Sequence, residues 1–104
     1  MRVIVRDRVY EALDEFYAAS MKKHPTLDLQ TVLDKEDRLF HALQTLGDNY
    51  YLYNEPRYIL DWIRKGYKDF MHENFHFAFH VVVLSTGEMV VAVEDVRHDL
   101  MFHD

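Results

Sequence analysis

Phe75-His76-Phe77-Ala78-Phe79-His80-Val81-Val82-Val83-Leu84 is the stretch that decides the fold. Its alternate residues separate by chemistry. Phe75, Phe77, Phe79, Val81 and Val83 fall on one side of an extended chain, and His76, Ala78, His80, Val82 and Leu84 on the other. That period of two predicts a long strand with its first set toward a core and its second partly covered. Ser85-Thr86-Gly87-Glu88 then supplies a hairpin turn, with Gly87 available for positive φ, and Met89 to Glu94 returns as the next strand. Before the stretch, Tyr67 to Met71 reads as a shorter strand, joined through a tight connection at His72-Glu73-Asn74. Val96 to Asp104 reads as a polar tail.

The N-terminal half follows a different period. Met1 to Arg6 is β-branched with charges at alternate positions, so it reads as a short strand. Asp7 is the expected N-cap of a first helix, whose inner face carries Val9, Leu13, Phe16, Tyr17 and Ser20 or Met21. His24-Pro25 ends it. Asp28 is the expected cap of a second helix with Val32, Leu39, Phe40, Leu43 and Leu46 on one stripe, and Gly47 sits where a left-handed C-terminal residue is wanted. Tyr50 to Tyr53 fits either a strand or an aromatic loop. Tyr58 to Arg64 fits one or two helical turns after Asn54-Glu55-Pro56, ended by Gly66.

The resulting order is β-α-α-(short α)-β-β-β. It predicts an α+β fold, a small antiparallel sheet packed against an N-terminal αα-hairpin, with helices on one face. The chain has 104 residues, 49% of them apolar and 14% aromatic. At roughly 100–200 residues per domain, that is one domain spanning 1–104 with enough apolar mass for a core. There is no Cys, which excludes disulfides, Cys-ligated zinc and a thiol nucleophile. No apolar run approaches the ~20 residues a membrane span needs, and Met1-Arg2-Val3 does not open a signal peptide, so a cytoplasmic protein with no membrane partner is expected. The formal charge of −6 weighs against a general polyanion binder.

With a strand at its start, the order resembles the RelE/ParE toxin superfamily of bacterial toxin–antitoxin systems. Lys65-Gly66-Tyr67-Lys68-Asp69-Phe70 is similar to the family's "gyr-x-ar" strand. Asn74-Phe75-His76-Phe77-Ala78-Phe79-His80-Val81 is similar to its "n-Y-R-i-l-Y-r-v" strand, and Glu94-Asp95-Val96-Arg97-His98-Asp99 to its closing "i-l-x-V-x-H-x-R-x-D" segment. About 40 residues carry the pattern. The resemblance implies a toxin component, of the kind connected with plasmid stabilisation, held inactive by an antitoxin protein. In the RelE branch the target is messenger RNA on the ribosome, and in the ParE branch it is DNA gyrase. The strand Arg that stabilises phosphate charge in the family's nucleases is His76 here, a second basic residue maps to Arg97 or His98, and the Tyr near the C-terminus has no match among Phe102, His103 and Asp104.

Three chemistries follow from the residues themselves. Metal-independent RNA cleavage needs a base, an acid and a cation, and histidine supplies the first two near neutrality. His76 and His98 with Arg97 form the candidate catalytic set. His76 and His80 share a strand face about 13 Å apart at ~3.3 Å per residue, too far to ligate one metal on a straight strand. A metal set of His76, His98 and Asp99 lacks the usual helical spacing, so neither metal nor cofactor is expected. Arg57, Arg64, Lys65 and Lys68, interleaved with Tyr58, Trp62 and Tyr67, form the candidate nucleic-acid-binding set, since cations neutralise phosphates and rings stack on bases. The competing reading is that the rings pack and the charges are solvated. Finally, the open sheet edges and the hairpin groove suit an added strand or helix from a protein partner, an antitoxin or a second copy in a homodimer.

Overall fold

The computed structural model describes residues 1–99. Their order is β1 (Arg2–Val5), α1 (Asp7–Lys23), α2 (Leu29–Gln44), α3 (Leu46–Asn49), a 3-10 turn (Tyr50–Leu52), α4 (Leu60–Arg64), β2 (Lys68–His72), β3 (Phe75–Val83) and β4 (Met89–His98). The class is α+β, helices first and strands last. Four strands form one sheet in the order β1-β4-β3-β2. β2, β3 and β4 are antiparallel, as their hairpin connections require, whereas β1 joins β4 in parallel. The sheet is therefore mixed rather than wholly antiparallel: the helical connection leads from β1 to β2 on the opposite edge, running parallel to β1, and two hairpins then bring β4 back beside β1 in the same direction.

The expected core face of β3 is the observed one. Phe75, Phe77 and Phe79 are buried against Val9, Leu13 and Tyr17 of α1 and Val32, Leu39 and Leu43 of α2, with Val81 partly covered and Val83 exposed. Burying side chains of this size contributes about 1.5–3 kcal/mol each, which holds the hairpin on the sheet. The other face is covered too. Ile59 and Trp62, at the start and middle of α4, close over Ala78, the small residue of β3 that leaves room for an indole. Helices thus lie on both faces, not one.

Caps and turns decide the local boundaries. Asp28 accepts from the Thr31 amide at 2.8 Å, so α2 starts as expected. α1 does not start on an Asp cap. Arg6 holds the extended cap position and Asp7 is the first helical residue, where its charge favours the helix N-terminus. Gly47 is not left-handed; it lies inside α3, and its backbone meets the Met1 carbonyl so closely that a Cβ could not be accommodated. Glu73 and Asn74 both take positive φ (48° and 68°), which a two-residue β2–β3 hairpin needs.

β4 runs to His98, four residues past the expected end, so Val96 to His98 is strand rather than tail. A bulge makes this happen. Ala78 pairs with Asp95 but Phe79 pairs with Val93, leaving Glu94 as an extra residue. Val93 and Val96 then both face the α-hairpin.

Candidate functional site

The site forms on the α4 side of the sheet, where β3 passes between β2 and β4. The β2–β3 register sets Met71 opposite His76 and Asp69 opposite Ala78. Asp69 is therefore the diagonal neighbour of His76 on the same face. The β3–β4 register sets Arg97 opposite His76, and Asp99, two residues on, returns to that face. The His76 ring bridges the two carboxylates. Its Nδ1 lies 2.8 and 3.1 Å from the Asp69 oxygens, and its Nε2 lies 2.9 Å from Asp99 Oδ1.

Only the imidazolium has an N–H for each ring nitrogen, so a carboxylate on either side favours the charged ring. Burial pulls the His76 pKa down, but the hydrogen bonds to Asp99 and Asp69 and their negative charges outweigh it, and the net shift is upward. The His76 side chain is 16% exposed and Asp69 17%, against 42% for Asp99, which makes Asp99 the outer arm of the bridge.

Beside it opens a cavity of about 590 Å³, lined by Asp69, His76 and Asp99 and, from the segment before α4, by Pro56, Arg57, Tyr58 and Ile59. Ile59 and Pro56 are buried wall, and the Tyr58 ring is 85% exposed at the rim. The Asp69 amide donates to the Asn54 carbonyl at 2.8 Å, which ties this segment to the β2 edge.

The sequence-predicted catalytic set is divided. His76 and Arg97 share a face, but Arg97 turns toward α4, where its guanidinium sits 3.3 Å from Asp61 and 5.3 Å from the Trp62 ring centre. His98 points to the opposite face. It stacks on Phe16 at 4.5 Å and meets the Phe75 edge at 4.8 Å, and burial pushes its pKa down. A His76/His98/Arg97 cluster on one face does not form, because adjacent strand residues 97 and 98 point to opposite sides. The same parity separates His98 from the other members of the metal set His76, His98 and Asp99. Among the described residues, no three His, Cys, Asp or Glu converge as a metal site.

The candidate nucleic-acid set is also spread. Arg57 lines the cavity, Arg64 ends α4, and Lys65 lies 6.0 Å above the Tyr67 ring. Lys68 pairs with Phe79 and so belongs to the hairpin face of the sheet. Of the interleaved rings, Trp62 is consumed by packing and donates to Asp95 at 3.2 Å, while Tyr58 stays exposed. Phe102, His103 and Asp104, compared above with the family's C-terminal Tyr, lie outside the described residues.

A second histidine–carboxylate pair escaped the sequence reading. His80 Nε2 lies 2.5 Å from Glu94 Oε2, and Arg6 reaches the other Glu94 oxygen at 3.2 Å. The bulge places Glu94 there, and no alternation pattern announces a bulge. Asp69 was legible only by counting back across the Glu73-Asn74 turn, and Asp99 only once β4 is extended. Comparison with known proteins finds neither a family model nor a curated protein that matches the chain. Among the described residues no helix is long and apolar enough to cross a membrane.

Proposed function

We propose that this chain is a cytoplasmic toxin component of a bacterial type II toxin–antitoxin system, or a diverged RelE/ParE relative, that acts by binding a protein rather than by cutting RNA. One observation carries the choice between those actions. Both ring nitrogens of His76 face carboxylates. An imidazole held this way has no lone pair to take a 2′-hydroxyl proton, and its charge is offset before a phosphate arrives. Arg97 is likewise engaged, by Asp61 and Asp95. The resemblance in element order and C-terminal motifs supports the toxin reading, with an antitoxin as the neutralising partner and gyrase as the target class for a non-catalytic inhibitor.

A second reading, histidine-based messenger-RNA cleavage, has one observation in its favour. Among the described residues His80 uses only Nε2, on Glu94, and its Nδ1 is neither paired nor sealed from solvent. A carboxylate-oriented imidazole with one open nitrogen is the usual form of a general base.

Inducible expression in a bacterial host, following growth and transcript integrity together, tests the proposal. Growth arrest with intact transcripts, relieved by co-expressing a small antitoxin-like neighbour, is expected. Arrest with rapid transcript cleavage would transfer the case to the nuclease reading, and no arrest would end the toxin reading.

A further inference from the structure

His76 joins three separate pieces of chain. It sits on β3, Asp69 on β2, and Asp99 immediately after β4. All three line the same cavity. We infer that His76 is a proton-dependent latch on this cavity: the protonated ring holds both carboxylates, and loss of one proton releases Asp99.

The asymmetry of the bridge decides which arm lets go. Neutral imidazole keeps a single N–H, so it can donate to one carboxylate and must turn a lone pair on the other. Asp69 offers both oxygens to Nδ1 and is largely covered. Asp99 makes one contact to Nε2, and water can solvate its half-exposed carboxylate once the bond is lost. Keeping the Nδ1 proton toward Asp69 is therefore the favoured neutral form. Deprotonation takes the His76–Asp69–Asp99 group from a net charge of −1 to −2 and frees the more exposed carboxylate of the cavity lining.

The surrounding charges fit a switch rather than a fixed ion pair. On the segment before α4, Arg57 lines the cavity. On β4, Arg97 lies opposite His76 but is held by Asp61 of α4 and by Asp95. His98 faces the other side of the sheet, near enough for its charge and that of His76 to repel. On β2, Asp69 is the charged neighbour on this face, since Lys68 and His72 alternate to the other. Among the described residues, the two carboxylates are what opposes proton loss. The device does not depend on the toxin reading, because it can be read on the isolated chain.

Nitrogen-15 NMR of the histidine rings across pH, on the full chain and on Asp99→Asn, tests it. Both His76 nitrogens should be protonated at neutral pH, and the ring should titrate above the ordinary value of about 6.5. The Asp99 and Asn74 amides, which meet through the Asp99 N–H to Asn74 carbonyl bond at 2.7 Å, should shift with the same midpoint. Asp99→Asn should weaken proton binding at His76 by about threefold or more, a half-unit fall in midpoint. A His76 midpoint at or below the ordinary value would overturn the latch. So would a midpoint unchanged by Asp99→Asn, or a wild-type titration followed by the Asp69 amide and not by Asp99. The wild-type titration decides on its own if the variant folds poorly.

Discussion

Substituting Gly47 by Ala sets two effects of opposite sign against each other. Gly47 lies inside α3 and its φ is not positive, so helix propensity alone favours Ala by about 1 kcal/mol. The steric term points the other way. The new Cβ would run into the Met1 carbonyl oxygen, with Val3 Cγ2 a further 3.5 Å neighbour, and backbone cannot rotate aside as a side-chain tip can. Relief requires moving the start of β1. That start is pinned by the Met1 ammonium on the Gly47 carbonyl at 3.2 Å and by the Arg2–Val90 and Val3–Val91 pairings. Overpacking of this kind costs about 1–3 kcal/mol, and losing the terminal hydrogen bond adds about 1. Against the propensity gain, a net loss of about 1–3 kcal/mol is expected. For a chain of this size that lowers Tm by roughly 5–20 °C. Thermal and urea unfolding followed by Trp62 fluorescence would measure it, with amide shifts concentrated in β1 and α3. A neutral or stabilised Gly47→Ala would refute the reasoning, since propensity would then have won and the close approach would not constrain the fold.

Other consequences are as direct. Trp62→Phe removes the indole bond to Asp95 and weakens the Arg97 contact while keeping most of the apolar bulk, so a loss of about 1–2 kcal/mol is expected in urea unfolding, with α4 losing amide protection before the sheet does. His98 is held neutral by burial, so its folded pKa lies below its unfolded one. Its contribution is complete above about pH 6.5 and falls away as pH drops toward the folded value. His98→Phe, which retains the stack on Phe16, should flatten that acid-side decline in Tm; an unchanged slope would count against the assignment. His76 has the reverse sign, because its folded pKa is raised. The Tm gap between wild type and His76→Gln should be widest below about pH 6.5 and close as pH rises through the folded pKa; a gap that widens with pH would contradict the bridge.

The sequence was most legible where one period ran without interruption. The alternation of Phe75 to Phe79 gave the core face of β3. The i, i+4, i+8 recurrence of Val9, Leu13 and Tyr17 gave the buried face of α1, because burial on one side of a regular element leaves a repeating mark. Legibility failed where the backbone changed register. Glu94 adds one residue to β4, so Val93 and Val96 share a face three positions apart and the strand reads as if it ended at Glu94. That one residue also hid the Glu94–His80 pair and the strand that carries Asp99 back to His76. The packing of the Tyr58–Arg64 segment was legible in part: Ile59 and Trp62 pack as the competing reading has it and Tyr58 does not, while five helical residues show no period that would place them on the sheet's second face. Of the candidate site, His76 itself was legible as a polar residue in an aromatic strand. Its partners were not, since they depend on pairing registers that only folding fixes.

The proposal that this chain binds a protein instead of cutting RNA rests on a sheet histidine whose two nitrogens already face carboxylates. Purified chain incubated with messenger RNA, free and on translating ribosomes, tests it most directly, with the RNA ends mapped for wild type, His76→Ala and His80→Ala side by side. The account predicts intact RNA with all three. Cleavage by the wild type that either substitution abolishes, in a variant that remains folded, would contradict it.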